Sequence, residues 1–185
     1  MGPLEQLDVL EGLLGRVASG ITPDDLGRPT PCAKFTVRDV LGHMIGGATQ
    51  FAAGFRGEAP PAVTADVADG PEVVARAGAA LGELGSAIRS PGALDRIVAA
   101  PFGEVPGDVF ARFVVLDGLV HGWDLAVATS QPYDPPASLV AAVEEFARQA
   151  IAPEMRDGDT FADAIEPPAG ATPIERLASF TGRRV

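Results

Sequence analysis

FARFVVLDGLVHGWDLAV, running from Phe110 to Val127, is the stretch on which the fold turns. Plotted at about 100° per residue it is apolar nearly all round, and a helix of that kind is normally buried in the middle of a fold. Asp117, His121 and Asp124 break the pattern on one narrow strip, alongside Phe110 and Ala128. Asp117 and His121 are four residues apart, so their side chains stack on the same helix face. A carboxylate and an imidazole presented together can each give one lone pair to a divalent cation. The same strip can equally be the helix's solvent face, with an ordinary intrahelical Asp–His pair on it. Spacing alone leaves both readings open.

Outward from this stretch the apolar spacing is helical almost wherever it is regular. Towards the N-terminus, Leu4, Leu7, Leu10, Leu14 and Val17 predict an amphipathic helix that ends near Ser19-Gly20. Thr22 to Pro31 reads as a loop. A second helix is expected from Thr36, with Asp39 completing a capping box, along the stripe Val37, Val40, Leu41, Met44, Ala48, Phe51 and Phe55. It stops by Gly57, because Pro60-Pro61 cannot continue it. A third is expected from Pro71 to Ile88, and the central one from Asp108 to Thr129. Between them, residues 94–106 carry Leu94, Ile97, Val98, Phe102 and Val105 interrupted by Pro101, Gly103 and Pro106, which suits an extended crossover or a small irregular hairpin. Pro136 to Ile151 and Pro173 to Phe180, the latter capped by Thr172, complete the helices. No repeat or linker divides residues 1–185, so the expectation is one all-α domain: a four-helix bundle with a long crossover and a short C-terminal segment.

Composition narrows the function. The 185 residues carry 14 Lys+Arg against 25 Asp+Glu, a net charge of −11, which disfavours nucleic acid and anionic membrane as partners. All the basic residues except Lys34 are arginine, a bias that reads as genome composition. They are scattered, and Arg183-Arg184 reads as a solvated tail. Cys32 is alone, so it forms no disulfide framework or paired-cysteine metal site; it is either a reactive thiol near the start of the second helix or a buried loop cysteine. No secretory leader, lipidation pattern or apolar run of membrane-spanning length is visible, and the expected location is the cytoplasm.

Histidine is scarce, with two in the chain. The second, His43, lies about 120° from the centre of its helix's apolar stripe, on a shoulder with Thr36, Asp39, Gly47 and Gln50. Gly46 and Gly47 weaken that helix, as close approach of another group to the backbone would require; the alternative is a solvent-exposed histidine beside two tolerated glycines. Arg38 and Gln50 either face a cleft mouth or are solvated. Asp124 either orients a ligand histidine from behind or is a charge on the helix surface. Trp123, opposite the polar strip, belongs to the core.

Three segments carry a resemblance. Pro29 to Met44 (PTPCAKFTVRDVLGHM), Leu116 to Ala126 (LDGLVHGWDLA) and Ala171 to Arg183 lie in the order found in the DinB-like superfamily. They are similar to its branch around mycothiol-dependent maleylpyruvate isomerase and small metal-binding relatives. The resemblance spans nearly the whole chain. It implies a four-helix bundle with a divalent metal at one end of the interior, held by His43, Asp117 and His121. Phe35 stands where relatives usually carry Trp, and Asp117 replaces the isomerase's Glu. The chain reads as lacking that enzyme's additional C-terminal domain, so the substrate is not inherited.

A two-histidine, one-carboxylate set leaves coordination positions open, as catalytic rather than structural zinc sites do. Zinc is the first expectation, and nickel or iron(II) also accept this set. The resemblance implies mycothiol or a similar low-molecular-weight thiol as cosubstrate, with thiol transfer or thiol-assisted isomerisation of a small electrophile as the reaction. A non-catalytic metal- or thiol-binding module is the second reading. A structural helical protein, pairing with a second copy through apolar helix faces, is the third.

Overall fold

A computed structural model describes residues 1–59, 61, 72–100, 103–158 and 160–185. The expected helices are present: α1 (Pro3–Ser19), α2 (Val37–Arg56), α3 (Val73–Ile88), α4 (Gly107–Ala128), α5 (Ala137–Ala150) and α6 (Pro173–Phe180). Pro60, Pro71, Pro101 and Phe102, to which the sequence pattern assigns roles, lie outside the described residues. Two paired strands resolve the open alternative as a hairpin: β1 (Ile97–Ala100) pairs antiparallel with β2 (Gly103–Pro106), Val98 opposite Val105.

The four long helices form a closed ring in which α1 packs on α4, α4 on α2, α2 on α3 and α3 on α1. Each contributes its apolar stripe to one continuous core: Leu7, Leu10 and Leu14 from α1, Val40 and Phe55 from α2, Leu84 and Ile88 from α3. α4 is buried on nearly every side, including Trp123, because α5 and α6 cover the face that the ring leaves open. Its all-round apolarity is therefore the sequence signature of a central helix.

Two local devices set the position of α2. Thr36 caps it, accepting from the Asp39 N–H while the Asp39 carboxylate accepts from the Thr36 N–H and hydroxyl. The preceding loop is pinned by a bridge between Pro29 and Thr36 and by Thr30, whose N–H and hydroxyl both donate to the Phe35 carbonyl. At the far end Gly57 (φ 74°) closes the helix in the left-handed conformation that glycine adopts freely.

The C-terminal segment folds back over the bundle. Arg156 donates to the carbonyls of Ala162 and Phe180, and its guanidinium lies 4.7 Å from the centre of the Phe180 ring. Gly182 (φ 92°) passes so close to Ala162 that a Cβ there would meet the Ala162 methyl at 2.5 Å. This turn directs Arg183 back towards α4.

Candidate metal centre

His43 on α2 and the Asp117–His121 pair on α4 meet where these two helices pack. His43 Nε2 lies 3.4 Å from Asp117 Oδ1, and His121 Nε2 lies 3.5 Å from the same oxygen. One donor atom from each of the three residues lies within 4.8 Å of the others. Phe35 packs beside both imidazoles, its ring 5.7 Å from that of His43 and 6.3 Å from that of His121. Of the two readings of the α4 strip, neither is complete: Asp117 and His43 are half-exposed, whereas His121 is buried.

The buried side of the cluster is held by Asp124. Its carboxylate is 0% exposed, and Oδ2 lies 3.0 Å from His121 Nδ1. The same oxygen accepts from Arg183 Nε at 3.3 Å and Nη2 at 3.1 Å. With Nδ1 engaged behind, the His121 ring presents Nε2 to Asp117 and His43. Asp124 is thus not a surface charge, and Arg183 is not a solvated tail: its guanidinium is buried against Asp124, while Arg184 of the pair remains exposed. Sequence reasoning assigned Arg183 no role at the site. Its presence in the third resembling segment was the available signal.

The electrostatics follow from these contacts. Burial favours the neutral acid at Asp117, but His121, the hydrogen bond and charge of His43, and Arg183 together outweigh it and hold the carboxyl well below the ordinary range. Conversely, the Asp117 hydrogen bond and charge raise the His43 imidazole, against burial and Arg183. Cys32 is half-buried in the loop before α2, and burial pushes its thiol up, which disfavours a resting thiolate and a reactive role.

Two cavities border the cluster. One of about 410 Å³ runs between the four ring helices, and one of about 230 Å³ lies under the loop before α2 and the C-terminal turn. His43 and Asp117 line both. Arg38 and Gln50 line neither. Of the two glycines beside His43, Gly47 borders the larger cavity, and a Cβ there would press on Phe51 at 3.2 Å; a Cβ at Gly46 meets nothing within 4 Å. Among the described residues no helix is long and apolar enough to cross a membrane.

Comparison with known proteins agrees with this architecture. Residues 10–126 match the mycothiol maleylpyruvate isomerase N-terminal domain family. Two uncharacterised proteins of Mycobacterium tuberculosis, from strains CDC 1551 / Oshkosh and H37Rv, are each 33% identical over 186 aligned residues, covering 100% of this chain and of their own. The crystal structure of a histidine-to-alanine mutant of mycothiol-dependent maleylpyruvate isomerase superposes with a TM-score of 0.63 at 15% identity, over 81% of this chain and 72% of that one, which establishes a shared fold. On the family match and the full-length relatives together, the chain belongs to the mycothiol maleylpyruvate isomerase N-terminal domain family.

Proposed function

We propose that His43, Asp117 and His121 hold one divalent cation, zinc in the first instance, and that the protein is a thiol-dependent transferase or isomerase acting on a small electrophile. One observation carries the metal reading. The 3.4 and 3.5 Å separations from Asp117 Oδ1 to the two imidazole nitrogens lie at the long limit of hydrogen bonding, whose usual N···O distance is about 2.9 Å. They match two of the three ligand–ligand edges expected around one tetrahedral ion with bonds of about 2.0–2.2 Å, roughly 3.3–3.6 Å, and the three donor atoms lie within 4.8 Å of one another. The donor set itself, two imidazoles and a carboxylate with positions left open, is that of catalytic sites. A cation bound there supplies Lewis acidity, which keeps a coordinating thiol deprotonated at neutral pH.

The chain's own residues prepare the site for that chemistry. Asp124 keeps the His121 proton on Nδ1, leaving Nε2 as the donor, and Arg183 balances the buried carboxylate. Phe35 excludes water from one side of both rings. The smaller cavity, with Lys34, Thr160, Thr181 and Arg183 in its wall, suits the polar body of a mycothiol-like thiol. At −11 net charge, the partner is a small molecule rather than a nucleic acid.

Metal analysis of protein purified without a histidine tag tests the reading. About one equivalent of divalent metal, lost in His121→Ala, is expected. Absence of metal in the untagged chain defeats the metal centre. Turnover of an electrophile that needs added thiol and stops on chelation supports the enzyme reading. Full metal occupancy without thiol-dependent turnover would make the protein a binding module instead.

A further inference from the structure

The two cavities that share the His43–Asp117 wall differ in chemistry. The smaller is lined by Lys34, Arg183, Thr160 and Thr181. The larger is walled by Leu10, Leu14, Met44, Phe51, Leu81 and Val114, and its volume of about 410 Å³ falls within the roughly 300–1,000 Å³ of small-molecule sites. We infer that the larger cavity is the chamber for a neutral, predominantly apolar electrophile, whose reacting end lies at His43 and Asp117. This rests on the metal-centre reading for its chemistry, but the chamber's selectivity follows from its walls alone.

Charge decides against an anionic occupant. Among the described residues Arg89 is the one lysine or arginine in the chamber wall, and it is already held by Asp8 and Glu11. Glu11, which also lines this wall, is the partner that holds Arg89, so the pair offers an anion no free cation. A dicarboxylate such as maleylpyruvate would therefore bury its second carboxylate without a cation to meet it, which is costly. A neutral apolar molecule meets no such penalty and displaces water from leucine, methionine and phenylalanine surface.

Glycine placement is a second, independent sign. Gly15 on α1 and Gly78 and Gly82 on α3 line the chamber and are exposed at its edge. A Cβ at any of the three meets nothing within 4 Å, so close helix packing does not require them. Gly118 differs: a Cβ there would meet Leu10 at 2.8 Å. Glycine weakens a helix interior, and at these three chamber-lining positions it leaves the wall without side chains.

The test is a fluorescence titration of the purified full-length chain with N-phenyl-1-naphthylamine, a neutral apolar dye. Saturable binding is expected, displaced by 1-nonanol and not by nonanedioate. Gly82→Leu and Gly78→Leu each add a bulky side chain at a chamber-lining position and should weaken the dye by roughly tenfold or more, with metal content unchanged. His121→Ala should lose metal and keep the dye, so failure of the metal centre and failure of the chamber are separate results. Absence of saturable binding, displacement by nonanedioate as readily as by nonanol, or wild-type affinity in both leucine variants would overturn the assignment. The competition uses the unmodified chain and does not depend on how the variants fold.

Discussion

Asp124 and Arg183 form a charge pair withdrawn from water, 0% and 11% exposed at their side chains. A pair of this kind adds little net stability over an apolar replacement, but removing one partner strands the other. Arg183→Ala is therefore expected to cost about 3–5 kcal/mol in urea unfolding, far above the effect of Arg184→Ala on the exposed tail. Asp124→Asn keeps an acceptor oxygen but leaves the Arg183 cation uncompensated and weakens control of the His121 tautomer, and metal affinity should fall about 10–100-fold in competition with a chelator. Unchanged affinity in Asp124→Asn would remove the orienting role. At this scale the sequence was informative where scarcity did the work: two histidines and one carboxylate four residues from His121 left few ways to build a site. Asp124 was ambiguous because a helix wheel that is apolar all round cannot say which polar strip faces inward. Arg183 was misread because its partner lies 59 residues away in sequence, beyond any local pattern.

Helix α2 brings His43 to the site, and its N-terminal cap fixes where it starts. Thr36→Ala should cost about 1 kcal/mol in chemical denaturation. The cap also leaves a pH signature. Asp39 is held below the ordinary carboxylate range by its hydrogen bonds to Thr36, side chain and backbone. Its folded value is depressed, so the unfolded chain binds the proton more readily in acid. The cap's contribution is then present above the ordinary value and is lost as pH falls through the folded one. Between about pH 6 and pH 2, the urea midpoint of the wild type should fall more steeply than that of Asp39→Asn. Parallel curves would show that the carboxylate adds nothing to the cap. The box at Thr36 and the cap at Thr172 were legible because each is a contact three residues long. The hairpin was not, because packing settles it: β1 buries Val98 so close to α2 that a Cβ on Gly54 would meet it at 2.9 Å, while Ile97 beside it stays exposed.

Across the whole molecule, the proposed cation would join two neighbours in the four-helix ring, α2 through His43 and α4 through Asp117 and His121. Unfolding separates these donors, so a ligand that requires all three binds the native chain and not the unfolded one. At a free concentration about 100 times Kd this adds about 2.7 kcal/mol, which for a chain of this size raises Tm by about 5–10 °C. The expected series is a higher Tm with added zinc, a return to the metal-free value with chelator, and no response in His43→Ala. That variant makes the measurement decisive. His43 is half-exposed and outside the apolar core, so its loss should change the metal-free stability by no more than about 1 kcal/mol. A metal response that survives in His43→Ala would mean that the ion sits on α4 alone, as an intrahelical Asp–His pair would hold it. A response that disappears there requires the ion to bridge the two helices, and bridging separates a centre built by the fold from an accident of spacing along one helix.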